Sequence, residues 1–288
     1  MPLNLIKGQF RILRSQPDGD SIRFYPIDPA AFTKLRLPAH ANRSGGAQLR
    51  LDAIDALETH YAPRVHGAFL HHQPLALAHA AADALLELAG FAAVTRDHTE
   101  TVVDAAPEHV DGYILTRFAD KYGRAVSLAY VGRTDRPDLA SVRVDTELLQ
   151  ASLNYQLIAA GLAYPTYYSK LYPDLRHALT VAVEKARANQ AGVWADDLTT
   201  SGATITELAD LVNDIVIMPK LFRRLIDYIA LGAGDVCLDG FVDFLATRDD
   251  RLFVISTGHA TGLDTIVEVM GQTLRLTRPP DDLIFIEA

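Results

Sequence analysis

Arg50-Leu51-Asp52-Ala53-Ile54-Asp55-Ala56-Leu57-Glu58 is the stretch on which the reading of this 288-residue chain turns. From Gln48 to Asp55 the residues alternate well enough in polarity to form a half-buried strand. The same segment carries one guanidinium and three carboxylates, with Asp55 five positions after Arg50 and Glu58 eight after it.

Upstream, Gln9 to Pro26 reads as two short strands around Gln16-Pro17-Asp18-Gly19-Asp20, because Pro and Asp-Gly form turns between apolar runs. Ile27 to Ala47 is rich in Pro, Ala and small polar residues and reads as an inserted loop. Downstream, Pro74 to Ala89 is a helix with Pro at its first position and Gly90 as its stop. Gly112 to Phe118 and Ala125 to Val131 are β-rich runs that flank Asp120-Lys121-Tyr122-Gly123-Arg124 and predict a hairpin. Thr146 to Ala160, closed by Gly161, and Asp174 to Gln190, closed by Gly192, predict two more helices.

Short strands followed by helices predict a small barrel with helices packed outside it. Beyond Thr199-Thr200-Ser201-Gly202 the pattern restarts. Thr204 to Leu231 reads as helical, and Leu252 to Ser256, Thr265 to Met270, Thr273 to Leu276 and Leu283 to Glu287 as strands, with Gly271-Gln272 as a hairpin turn. The expectation is two domains, residues 1–202 and an α+β domain over residues 203–288, a size within the usual range for domains.

Composition narrows the functional classes. With 49% hydrophobic and 22% charged residues the chain is of ordinary globular type. The net charge is -9, unevenly spread: residues 201–288 hold 7 Lys and Arg against 14 Asp and Glu, whereas the first 200 hold 20 against 22. The first part is therefore nearly neutral, and local cations there can still form a phosphate site. The single cysteine, Cys237, excludes an intramolecular disulfide and reads as a small buried core residue. The N-terminal stretch lacks a signal-peptide pattern and no apolar run approaches a membrane span, so a soluble, cytoplasmic protein with no membrane partner is expected.

Hydrolysis of a phosphodiester needs an activated water, cations for charge developing on phosphoryl oxygens, and groups that hold attacker and leaving group in line. Asp18-Gly19-Asp20-Ser21, Arg50 to Glu58 and Asp120 to Arg124 carry side chains of those kinds. Singly, each has a plainer explanation as a turn, a strand ion pair or a hairpin tip. His60, His66, His71, His72 and His79 match no regular ligand spacing and read as surface or packing residues. Trp194, after a helix stop, reads as a packing anchor.

Together and in this order, the three segments resemble the active-site segments of the staphylococcal nuclease family. Gly161-Leu162-Ala163-Tyr164 and Gly192-Val193-Trp194 resemble the end of that domain, so the likeness covers about residues 8–202. The resemblance implies an α+β fold with a five-stranded oligonucleotide-binding (OB)-type β-barrel and three helices, cleaving DNA or RNA with calcium (Ca2+). It implies Asp20 and Asp55 as carboxylate ligands of calcium, with Ala56 giving a backbone carbonyl. Glu58 would activate the attacking water, and Arg50 and Arg124 would grip the phosphate. Asp120, Lys121 and Tyr122 match positions near the terminal phosphate of the nucleotide, and Tyr167 a nucleotide-stacking tyrosine. Ala56-Leu57-Glu58 departs from the family's Thr-Pro-Glu, and the loops before Arg50 and between Glu58 and Asp120 are longer. A catalytically inactive module that binds nucleic acid or protein is the alternative, and the acidic C-terminal region is a candidate surface for a protein partner.

Overall fold

The computed structural model describes residues 2–63 and 69–287. His66, one of the five clustered histidines, lies outside the described residues.

Apolar burial shapes the first strands: β1 (Leu3–Phe10) buries Leu5, Ile6 and Phe10, and β2 (Ser21–Pro26) buries Ile22 and Phe24. They pair antiparallel, with Phe10 opposite Phe24, so the expected hairpin forms and begins earlier than its turn residues suggested. The loop that follows holds a four-residue helix, α1 (Ala31–Lys34), whose Phe32 is buried. β3 (Ala47–Leu51) is separated from the two-residue β4 (Ile54–Asp55) by a turn in which Ala53 has φ +69°. A left-handed alanine is unfavourable in isolation. Here the turn is pinned from both sides: Asn154 Nδ2 donates to Asp52 O at 2.9 Å, and Thr166 N donates to Ala53 O at 2.9 Å.

α2 (Leu75–Leu88) follows Pro74 and ends at Ala89, with Gly90 at φ +94° as its stop. The hairpin β5 (Ala93–Arg96) and β6 (Val102–Ala106), unmarked by any turn signal read from the sequence, leads into β7 (Val110–Ala119) and β8 (Ala125–Val131). β7 and β8 form the expected hairpin, and β7 pairs with β1 from Asn4 to Phe10. β3 pairs parallel with β8, and β2 pairs with both β1 and β3. The cycle β1-β2-β3-β8-β7 is therefore a closed five-stranded mixed barrel of OB type, which leaves the barrel strands no open edge. Closure needs glycine where β1 bends: a Cβ on Gly8 would meet Tyr25 O at 2.2 Å, and one on its cross-strand partner Gly112 would meet Phe10 at 2.4 Å.

After the two-residue β9 (Ser141–Val142), the helix expected over Thr146 to Ala160 is two, α3 (Thr146–Gln150) and α4 (Leu153–Ala159). The break is local chemistry: Ser152 is extended and its hydroxyl accepts from Tyr155 N at 3.2 Å, starting a new helix. β10 (Tyr164–Pro165) pairs with β4, β11 (Tyr167–Tyr168) follows it, and α5 (Pro173–Ala188) packs on α4 outside the barrel.

The stretch expected to be helical from Thr204 to Leu231 is divided into β12 (Ala203–Thr204), α6 (Leu208–Asn213) and α7 (Pro219–Leu231). Pro219 lacks an N–H and so sits naturally in the first turn of α7. A short α8 (Phe241–Ala246) precedes β13 (Arg251–Val254), β14 (His259–Gly262), β15 (Val267–Met270), β16 (Thr273–Leu276) and β17 (Leu283–Phe285). β15 and β16 are the hairpin expected at Gly271-Gln272. The C-terminal elements lie directly on the first 202 residues: β17 pairs with β11, and one apolar cluster runs through both regions. Cys237, expected in the core, is exposed, because its segment is a surface loop between α7 and α8. Among the described residues, no helix is long and apolar enough to cross a membrane.

Candidate active site

Two chain segments bring carboxylates to one spot beside the barrel. Asp20 stands at the entry to β2, and Gly19 permits the approach: a Cβ there would meet Ala56 Cβ at 2.5 Å and Ala81 Cβ of α2 at 2.7 Å. Small residues on both neighbours thus let the Asp20 carboxylate accept from Ala56 N at 3.1 Å. Asp55 is fully buried on β4, and Glu58 follows three residues later, with its N–H donating to Gln73 Oε1 at 3.2 Å.

Arg50, on β3, extends into this cluster. Its guanidinium is ion-paired with Asp20 and donates to Asp55 Oδ1 at 2.6 Å. The sequence-expected Arg50, Asp20, Asp55, Ala56 and Glu58 are therefore brought together. A second guanidinium, from Arg223 of α7, completes the cluster from the far end of the chain. Its Nη2 donates to Asp55 Oδ2 at 2.8 Å and its Nη1 to Asp55 Oδ1 at 3.2 Å, and Nη1 also pairs with Glu58. The five side chains form an alternating series, Asp20, Arg50, Asp55, Arg223, Glu58.

Their charge states differ with their neighbours. Burial pushes Asp20 up to about 7; Arg50 opposes this, while Asp18, Asp55 and Glu58 add to it. Asp55 is equally buried, but Arg223 and Arg50 together overcome the desolvation and hold its carboxyl well below the usual range. Glu58 is raised by burial against the pull of Arg223, with Asp55 and Asp18 reinforcing the rise. A carboxyl displaced toward neutrality among charged groups is a candidate for proton transfer.

Asp120 to Arg124 cap the β7–β8 hairpin, whose register puts Ala125 opposite Leu49 and so sets Arg124 alongside the strand of Arg50. Asp120 organises this tip: Oδ1 accepts from the backbone N–H of Tyr122 and of Arg124, both at 2.9 Å, and Oδ2 accepts from Arg124 Nε at 2.7 Å. The Lys121 ammonium and the Arg124 guanidinium lie 5.5 and 5.7 Å from the Tyr122 ring centre, and Tyr122 is exposed. Arg124 is thus bonded to the tip rather than into the carboxylate series. Tyr167 is fully buried with its hydroxyl 3.0 Å from Thr180 Oγ1, so it presents no ring face to a base. Trp194 is a buried packing residue, edge-on to Tyr164 with ring centres 5.0 Å apart.

Two residues of the site carry no signal in the sequence. Arg223 reads there as one charge on an amphipathic helix, and Gln73 as a polar residue before a helix. In the fold Gln73 is fully buried and joins the halves: besides holding Glu58 N, its Nε2 donates to Ile217 O at 2.8 Å, just before α7.

The donor set of Asp20, Asp55 and the Ala56 carbonyl consists of hard oxygens and fits calcium by chemistry. In this arrangement, however, the carboxylate oxygens are engaged by guanidinium groups. Among the described residues, no group of three or more His, Cys, Asp or Glu is arranged to hold a metal ion.

A closed OB-type barrel flanked by helices, with a cluster of carboxylates and arginines at its side, places the chain among the small-barrel proteins of OB type. A family model described as "Staphylococcal nuclease homologue" matches residues 48–196, just over half of the chain, and the protein belongs to that family. The match contains Arg50, Asp55, Glu58 and the Asp120–Arg124 tip; Asp20 lies before it and is joined to the site by barrel closure. Residues 197–288 lie outside the match. A comparison with curated proteins gives no match.

Proposed function

We propose that this protein is a calcium-dependent nuclease that hydrolyses phosphodiester bonds of DNA or RNA at the Asp20, Arg50, Asp55 and Glu58 cluster. The observation that carries the reading is Arg50 held between Asp20 and Asp55, with Glu58 three residues further along the same segment. Family membership supports a nuclease-like or nucleic-acid-binding module.

In this reading Glu58 takes the proton of the attacking water, a task to which its raised pKa suits it. Arg50 and Arg124 neutralise charge on the phosphoryl oxygens, for which a planar guanidinium is suited by its paired donors. Asp120 fixes Arg124, while Lys121 and Tyr122 lie near the terminal phosphate of the nucleotide. Asp20, Asp55 and the Ala56 carbonyl would hold calcium, which supplies Lewis-acid stabilisation of the phosphoryl charge when bound.

A second reading, a binding module without catalysis, is favoured by one observation: Arg223 occupies Glu58. Labelled single-stranded and duplex DNA and RNA, incubated with calcium or with chelator, separate the two. Calcium-dependent cleavage supports the nuclease; salt-sensitive binding without cleavage supports the module.

A further inference from the structure

Arg223 is 165 residues from Glu58 in sequence, yet it is delivered to the carboxylates by a well-anchored element. α7 buries Leu221, Phe222, Leu225, Ile226 and Ile229, and its approach is fixed by Met218 N donating to Thr199 Oγ1 at 2.9 Å and by Gln73 on Ile217 O. One turn further on, buried Asp227 accepts from Tyr61 OH at 2.9 Å, tying α7 again to the segment after Glu58. The Arg223 side chain is only 22% exposed, and its fork covers both oxygens of Asp55 as well as Glu58. Without it, Asp55 would keep one guanidinium and Glu58 would have none of the ion pairs found here.

We propose that Arg223 is a tethered cation that holds the Asp55 carboxylate until a divalent ion takes over those oxygens, so that the C-terminal segment sets the metal requirement of the site. This rests on the calcium reading above. A guanidinium and a calcium ion compete for the same carboxylate oxygens, and the ion's affinity is lowered by the work of displacing the arginine. Displacement would also release Glu58 from its ion pair.

The test is calcium binding by calorimetry to the full chain in wild type, Arg223→Gln and Arg223→Lys, each checked for cooperative unfolding. Removal of the charge should tighten calcium binding about tenfold or more, since a buried competing ion pair is lost, whereas Arg223→Lys should stay near wild type. In wild type itself, saturating calcium should accelerate solvent exchange of the Arg223 guanidinium protons, a readout that stands even where Arg223→Gln fails to fold. Equal calcium affinity in folded wild type and Arg223→Gln, or guanidinium protons that remain protected at saturating calcium, would overturn the proposal and leave the calcium reading intact. Absence of calcium binding in all the folded proteins would overturn the calcium reading, and the proposal with it.

Discussion

Asp55 and Arg223, 168 residues apart, meet through two parallel contacts of 2.8 and 3.2 Å. Because Asp55 also accepts from Arg50, this one fully buried carboxylate joins the barrel, the turn after it and α7.

Asp55→Asn should therefore be severely destabilising. It leaves two half-buried guanidinium groups short of the fully buried counter-charge they share, and breaking such pairs costs up to about 3–5 kcal/mol. The urea midpoint of the variant against wild type measures it. The Asp55 contribution should also fade in acid: its folded pKa lies below the unfolded value, so the stability it gives is present above the unfolded pKa and lost as pH falls through the folded one.

Asp20 has the opposite sign. Its pKa in the fold is about 7, above the 3.8 of the free side chain, so its contribution is fully present below the lower value and lost as pH rises through the higher one. Between about pH 4 and pH 7, wild type should lose up to ~1.4 kcal/mol per pH unit from this group alone. Asp20→Asn should remove that slope, and denaturation midpoints measured across the window check it.

Gln73→Leu keeps the volume near that of glutamine but removes both the acceptor for Glu58 N and the donor to Ile217 O. Two buried backbone groups left unpaired should cost on the order of 3 kcal/mol. Amide exchange should accelerate at Glu58 and at the start of α7 together, because one side chain holds both.

The barrel was legible in the sequence because its signals are local. Alternation from Gln48 to Asp55, the β-rich runs around Asp120 to Arg124 and the stops at Gly90 and Gly192 each report on their own few residues. Boundaries failed where a side chain competed with the helix, as at Ser152, or where Pro219 set a new start. The Arg50, Asp55 and Glu58 spacing was readable because those residues share one segment. Arg223 was not: its position on α7 follows from an apolar face, but its partners are fixed only by tertiary docking. Tyr167 shows the converse. An aromatic in the expected place turned inward, where burial of the ring and a bond to Thr180 outweigh exposure.

The most direct test of the central claim is the turnover of labelled single-stranded DNA and RNA by wild type, Glu58→Gln and Arg50→Ala, each shown to be folded, with calcium and with chelator. Loss of the proton acceptor or of the phosphate clamp should slow calcium-dependent cleavage about 100-fold or more. Cleavage that persists undiminished in both variants, or folded wild type that binds oligonucleotide and never cuts it, would contradict the assignment of hydrolysis to this cluster.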